Sequence, residues 1–436
     1  LEVSSDVYTV STTDESAEGQ VALPVPTDTT DPNSLDLYGW DGSSWYFLPS
    51  QVDAQSRQIV SADQELPQAF ALMQAKAPDE LLFTGYVNSG EAVPTALLPL
   101  VTDIVISGLK LNSEGALDGA VEPQPDGAYD QWVQVSNVGP VIDQASLSKL
   151  LGDSGLQQEQ IEQLVSLAGT GEYAGIELDY QQVPENQKEL FSAFAANLAG
   201  ALHEQGLQLA ITLGAPGFTG NAWNSGGQDW IALGETADIV NIELPLDPTQ
   251  YDQGDEAAQL LAYATRQINR SKLRSLYSAA AVDRFGDTFS PLTNSAALAN
   301  FGELYFVQGG EEVEPNATVE VALSGTAHPL EWDGDSLTYR YSYEKDGQTH
   351  HVWLGSEASL NHRLQQSQAF NLSGLGIRGL KNIKDGAGYA AALHNLGGAG
   401  EAPQPTGAAI VWTVRNENDS VVASESGNEL SFAWNV

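Results

Sequence analysis

Apolar and polar positions alternate with short periods through the first 76 residues. Val7–Val10 and Val21–Val25 are short β-rich runs, and Leu35-Asp36-Leu37-Tyr38 alternates residue by residue. Trp40-Asp41-Gly42 turns into Trp45-Tyr46-Phe47-Leu48, a hairpin signal whose Trp pair is expected to pack across the strands. With Ala69–Met73 as a further buried strand, the pattern predicts a small β-sandwich over 1–76. Lys76–Glu80 reads as a linker. From Leu81 the grammar changes to strand, loop, helix. Leu81–Tyr86, Asp103–Leu109, Trp132–Ser136, Gly175–Tyr180, Leu207–Leu213, Asp238–Leu244, Arg274–Val282 and Gly374–Leu380 are apolar runs of strand length. Eight such strands with intervening helices predict an α/β fold, a (β/α)8 TIM barrel over 81–395.

The clearest helix spans Pro184–Gln205. Pro184 suits a first turn, Gly206 suits a left-handed stop, and Leu190, Phe191, Phe194, Leu198 and Leu202 form an apolar stripe. Between the seventh and eighth strands, about 287–350 reads as a small α+β insertion, mostly β, with turns at Asp333-Gly334 and Asp346-Gly347. Gly397–Thr406 is a Gly/Pro-rich linker. Residues 408–436 read as the start of an Ig-like β-domain. The apolar face of Ile410, Val411, Trp412, Val414, Val421 and Val422 then needs cover from outside, from further chain or another subunit, and so points to self-association through β-domains.

The charge narrows the partners. The 436 residues carry 17 Lys+Arg against 58 Asp+Glu, a net charge of −41. Such a field repels phosphates and excludes nucleic acid and anionic membrane as partners. No apolar run is long enough to span a bilayer. The chain starts without Met or a signal peptide and reads as a mature or trimmed product. With no Cys there is no disulfide, thiolate metal site or cysteine nucleophile. The His residues lack metal-binding spacing, and Asp333-Gly334-Asp335 lacks an EF-hand ligand ladder, so neither metal nor cofactor is expected. Acidity without cysteine fits an extracellular or cell-surface protein, secreted and bacterial.

The fourth strand carries the candidate chemistry, in Tyr173-Ala174-Gly175-Ile176-Glu177-Leu178-Asp179-Tyr180-Gln181. Residues of one parity point into a barrel, which places Glu177, Asp179 and Gln181 on the inner face. Inward acids are costly unless paired or used. Spacing alone leaves a hydrogen-bonded polar floor and a functional site both open.

Gly-Ile-Glu-Leu-Asp-Tyr-Gln resembles the fourth-strand signature of glycoside hydrolase family 18, the chitinase-like family: Asp-x-x-Asp-x-Asp-x-Glu. Val183-Pro184-Glu185-Asn186, Val135-Ser136-Asn137, Ile106–Gly115 and His350-His351-Val352-Trp353 resemble its spore-cortex and peptidoglycan-hydrolase branch, over roughly 81–395. The resemblance implies an N-acetylhexosamine-containing glycan as partner and the signature Glu as general acid. That Glu is Gln181 here, and an amide has no proton to give at neutral pH, so a rate factor of ~10²–10⁴ is lost. The first two signature acids fall on Ala174 and Glu177. Asp179 remains, at the position that orients the substrate N-acetyl group in the family's substrate-assisted route. The family's Tyr and Asp after the sixth strand fall on Pro245 and Leu246, and its floor Trp falls near Arg378.

These losses predict no catalytic residue, with Glu177, Asp179, Gln181, Pro245 and Arg378 as the degenerate positions. The expected function is a non-catalytic extracellular barrel that binds glycan through Asn137, Asp179, Tyr180, Gln181, Trp223 and Glu243. One alternative is a structural or adhesive subunit of a surface assembly or filament that reuses the barrel as scaffold. Another is a divergent glycosidase using Glu177, Asp179 or Glu243. Arg378 is expected to meet Glu177 across the mouth, directly or through Glu243.

Overall fold

The computed structural model describes residues 2–11, 17–219, 222–252, 254–310, 314–383, 390, 391, 393 and 410–436. The proposed linker Gly397–Thr406 lies outside them. The chain divides into two compact units, one of Leu1–Pro245, Gln253–Tyr277 and Gln365–Lys381, the other of Leu246–Asp252, Ser278–Leu364 and Asn382–Val436.

In the first unit, strands β1 (Leu82–Asn88), β2 (Asp103–Leu111), β3 (Asp130–Ser136), β4 (Gly175–Asp179), β5 (Gln208–Leu213), β6 (Ile239–Glu243), β7 (Leu273–Ser278) and β8 (Gly374–Arg378) form one parallel sheet. Its order is β1-β8-β7-β6-β5-β4-β3-β2, and β1 pairs again with β2, which closes a TIM barrel. These runs are apolar on both parities because parallel strands are covered on both faces. Strand β7 stops short of the expected Val282. The Ser278 hydroxyl accepts the Ala280 N–H at 3.2 Å, and Ala281–Phe285 joins a sheet of the second unit.

The helix Lys188–His203 follows a 3-10 turn at Glu185–Gln187. Phe191, Phe194, Leu198 and Leu202 are fully buried, whereas Leu190 is 44% exposed, because it lies off the stripe that they define. Gly206 has φ +72° with open space around a notional Cβ. Gly206→Ala should therefore cost about 1 kcal/mol from backbone strain alone. Thermal melts should show a small downward shift with an unchanged circular dichroism spectrum.

The N-terminal segment forms two main antiparallel sheets around Val21, Leu23, Leu35, Leu37, Ile59 and Leu72. Strands Ser50–Asp53 and Gln58–Ser61, absent from the sequence reading, join through a turn in which Arg57 takes φ +52°. Trp40 sits opposite Trp45 with ring centroids 5.5 Å apart, as expected for cross-strand packing. Arg270, just before β7, reaches into this domain and pairs its Nε with the buried Asp36 carboxylate at 2.8 Å.

The second unit holds the insertion. Its larger sheet runs in the order Thr288–Leu292, Ala281–Phe285, Gln348–Trp353, Thr338–Lys345, Glu331–Asp333, with the helix Asn294–Ala299. A second sheet runs Leu304–Gln308, Thr318–Leu323, Ser431–Asn435. The hairpin Ile410–Arg415/Val421–Gly427 packs Trp412, Val414 and Ala423 on Val319, Val321 and Phe432 of that sheet. Cover for Ile410, Trp412 and Val414 thus comes from the insertion of the same chain, whereas Val411, Val421 and Val422 stay 62, 53 and 59% exposed. No helix among the described residues is long and apolar enough to cross a membrane.

Candidate functional site at the barrel mouth

The barrel interior is built in layers. Near the strand starts, Arg274 donates to Asp103 at 2.8 Å and Thr84 at 2.6 Å, and Trp132 Nε1 donates to Asp103 at 3.1 Å. Above lie Tyr86, Val105, Ala210 and Leu276. Gly376 makes this packing possible, since a Cβ there would stand 2.8 Å from the Tyr86 ring.

Glu177 comes next and is completely buried. Its carboxylate accepts four hydrogen bonds: from Gln134 (2.7 Å) and Thr212 (2.9 Å) on Oε1, and from Tyr86 (2.9 Å) and Asn241 (3.1 Å) on Oε2. Burial pushes this carboxyl above the usual carboxylate range, against the pull of Arg378. Sequence reasoning missed all four donors. Their signal was a polar residue interrupting an apolar strand, as Gln134, Thr212 and Asn241 each do.

At the mouth, Arg378 Nη2 donates to Asp179 Oδ2 at 2.9 Å and its Nη1 lies 3.1 Å from Glu243 Oε1. The guanidinium also stands 5.5 Å above the Tyr86 ring. Arg378 therefore meets Glu243 as expected, but its partner on β4 is Asp179 rather than Glu177. Strands rise about 3.3 Å per residue, so Asp179 stands nearer the mouth, level with the end of β8.

Gln181 commits both amide hydrogens. Nε2 donates to Asp179 Oδ1 at 2.7 Å and to the Thr212 carbonyl at 3.2 Å. Its backbone is held by Asn137, which accepts the Gln181 N–H at 2.7 Å and donates to the Gln181 carbonyl at 3.0 Å. Gly214 leaves room for this side chain, since a Cβ there would fall 2.2 Å from Gln181 Oε1.

Of the expected glycan contacts, Asp179, Gln181 and Glu243 converge at the mouth. Tyr180 does not. It has the parity of Ile176 and Leu178, is fully buried against Phe191 and Phe194, and accepts from Gln160 at 2.7 Å. Asn137 is buried and committed to the Gln181 backbone. Trp223 packs on Phe218 and Tyr263, with centroids 4.8 and 6.0 Å away. Pro245, two residues past β6, is half-buried and offers no hydroxyl. What remains open is a groove of about 240 Å³ beside β1–β3 and β8, lined by Tyr86, Asn88, Gln134, Ser136, Asp179 and Arg378 among others. A Lys381–Glu91 pair at 3.1 Å stands on its rim. Among the described residues, no group of three or more His, Asp or Glu could hold a metal ion.

No protein-family model and no curated protein matches the sequence. Solved structures do match the fold. A chitinase from Chromobacterium violaceum is 21% identical, with 73% of this chain and 99% of that one covered and a TM-score of 0.53. The spore cortex-lytic enzyme SleL from Bacillus megaterium is 15% identical, with 76% and 77% covered and a TM-score of 0.50. A mutant family 18 chitinase from Cycas revoluta, in complex with (GlcNAc)4, is 13% identical, with 73% and 100% covered and a TM-score of 0.53. The fold of this chain is that of the family 18 barrels.

Proposed function

We propose that this chain is a family-18-like barrel, acting outside the cell, that binds an N-acetylhexosamine-containing glycan at the mouth groove and does not hydrolyse it. One observation carries the reading. At the signature position for the acid stands Gln181, both of whose amide hydrogens are already given to Asp179 and the Thr212 carbonyl. No ionisable proton faces a leaving oxygen there, and the Asp179 carboxylate is shared between Gln181 and Arg378. The groove on the β1–β3 side keeps polar side chains, Asn88, Lys110 and Ser136 among them, for the hydroxyls of a sugar.

The test has two arms. Chitin oligosaccharides and peptidoglycan incubated with the protein should show no turnover above a Gln181→Ala control. Calorimetry should detect oligosaccharide binding, weakened by Val138→Trp, which fills the groove. Gln181→Glu should not restore activity. It sets a second carboxylate against Asp179 and a lone pair against the Thr212 carbonyl, and should cost roughly 1–3 kcal/mol. Clear turnover by the wild type would sink the reading and favour a divergent glycosidase. Absence of any binding by folded protein would favour the structural or adhesive subunit instead. That second reading draws on the Arg378 ion pairs, which fill the β4–β6 half of the mouth.

A further inference from the structure

Natural sheet edges are blunted by charge, proline, shortness or cover. The strand Leu304–Gln308 has none of these along its first four residues. It is the edge of the three-stranded sheet, paired on one side with Thr318–Leu323, and among the described residues no strand pairs with its other side. Leu304, Tyr305, Phe306 and Val307 are 57, 47, 41 and 50% exposed, four consecutive large apolar side chains. Elsewhere among the described residues, large exposed apolar side chains occur singly or in consecutive pairs.

The strand is written like an interior one. Leu304 and Phe306 lie opposite Leu323 and Val321, on the face that packs against the C-terminal hairpin. Tyr305 and Val307 point the other way. Both faces are therefore apolar, which suits a central strand and not an edge. The buried cluster beneath the hairpin holds Val319, Val321 and Phe432, and ends before Leu304 and Phe306. The register slips between Phe306 and Gln308, so Leu304–Phe306 is the regular stretch available for pairing.

We propose that this edge pairs, antiparallel and about a two-fold axis, with the same strand of a second copy of the chain. Two observations select a second copy. The strand is self-complementary at its centre: with the axis at Tyr305, Leu304 of each copy meets Phe306 of the other and the tyrosines meet each other, so the three central side chains find apolar partners, and Glu303 of each copy falls at the edge of the pairing opposite Val307. It is also free of charge from Leu304 to Gln308. Chains of net charge −41 repel one another and can approach only through a neutral patch, whereas a cationic partner finds no carboxylate on this strand to attract it. The pairing joins two three-stranded sheets into one of six. It does not depend on the glycan reading of the barrel.

The absence of cysteine makes a clean test possible. Directly opposed cross-strand residues have Cβ atoms about 4.5–5.5 Å apart, so Tyr305→Cys should form an intermolecular disulfide under mild oxidation. Val141→Cys, 78% exposed on the other unit, should not. Sedimentation equilibrium of the whole chain should give twice the 46.4 kDa monomer mass, with association strengthened by added salt as like charges are screened. The double variant Leu304→Lys/Tyr305→Lys should raise the dissociation constant at least about tenfold with an unchanged circular dichroism spectrum, since both side chains are exposed in the single chain. A monomer at all concentrations overturns the proposal. So does a dimer that survives the double variant or fails to cross-link through Tyr305→Cys.

Discussion

Glu177→Leu should abolish folding. The leucine fills most of the space, yet the hydroxyls of Tyr86 and Thr212 and the amides of Gln134 and Asn241 lose their only shared acceptor. A buried donor left unpaired costs about 1–3 kcal/mol, so four cost about 4 kcal/mol at the low end and about 12 at the high end. That is comparable with the whole stability of a marginal domain, about 5–15 kcal/mol. Glu177→Gln should be far milder, near 1 kcal/mol. The two hydroxyls can rotate, and Asn241 Oδ1, which has no partner, can turn to accept the new amide. Soluble yield and thermal melts of the two variants decide the matter. Equal damage from both would mean that Glu177 acts through its charge rather than through its acceptors.

Arg378→Ala should also be costly, by about 3 kcal/mol, the low end for breaking a buried pair because Arg378 keeps 29% side-chain exposure. Asp179 and Glu243 would then face each other and Glu177 with no cation among them. The loss should depend on pH. Burial already holds the Glu177 pKa above its unfolded value, with Arg378 the chief group pulling it down. A carboxyl raised in this way contributes stability below the ordinary carboxylate pKa, and that contribution is lost as pH rises through the folded value. Removing Arg378 raises the folded value further and widens the window of loss. The variant should therefore melt closer to wild type in mildly acidic buffer than at neutral pH. A pH-independent difference would show that Arg378 acts by packing on Tyr86.

The barrel was legible in the sequence because eight strands buried on both faces leave eight apolar runs, and parity placed Glu177, Asp179 and Gln181 inside. The same parity puts Tyr180 outside, against Phe191 and Phe194, where it serves the helix layer. Partner choice was harder to read. Whether Arg378 meets Glu177 or Asp179 depends on the height of each residue in the closed barrel, which depends on strand register and not on local pattern. The donors around Glu177 come from strands β1, β3, β5 and β6, far apart in sequence, and only closure brings them together. The C-terminal segment was underread for a similar reason. Its strand Ser431–Asn435 pairs with Thr318–Leu323, more than a hundred residues earlier, and no local signal announces such a partner.

Three arginines of the first unit that pair with buried aspartates have a bearing on how the chain is made. Arg270 meets Asp36, Arg274 meets Asp103 and Arg378 meets Asp179, across 234, 171 and 199 residues. In each pair the acid leaves the ribosome first and its counter-ion much later. A nascent chain therefore carries uncompensated carboxylates that resist being dried out, and it stays hydrated until the late arginines arrive. Compact traps built from the early strands alone are penalised by the same carboxylates that later fix the core. Translation order and charge placement together delay burial until the chain can complete its ion pairs.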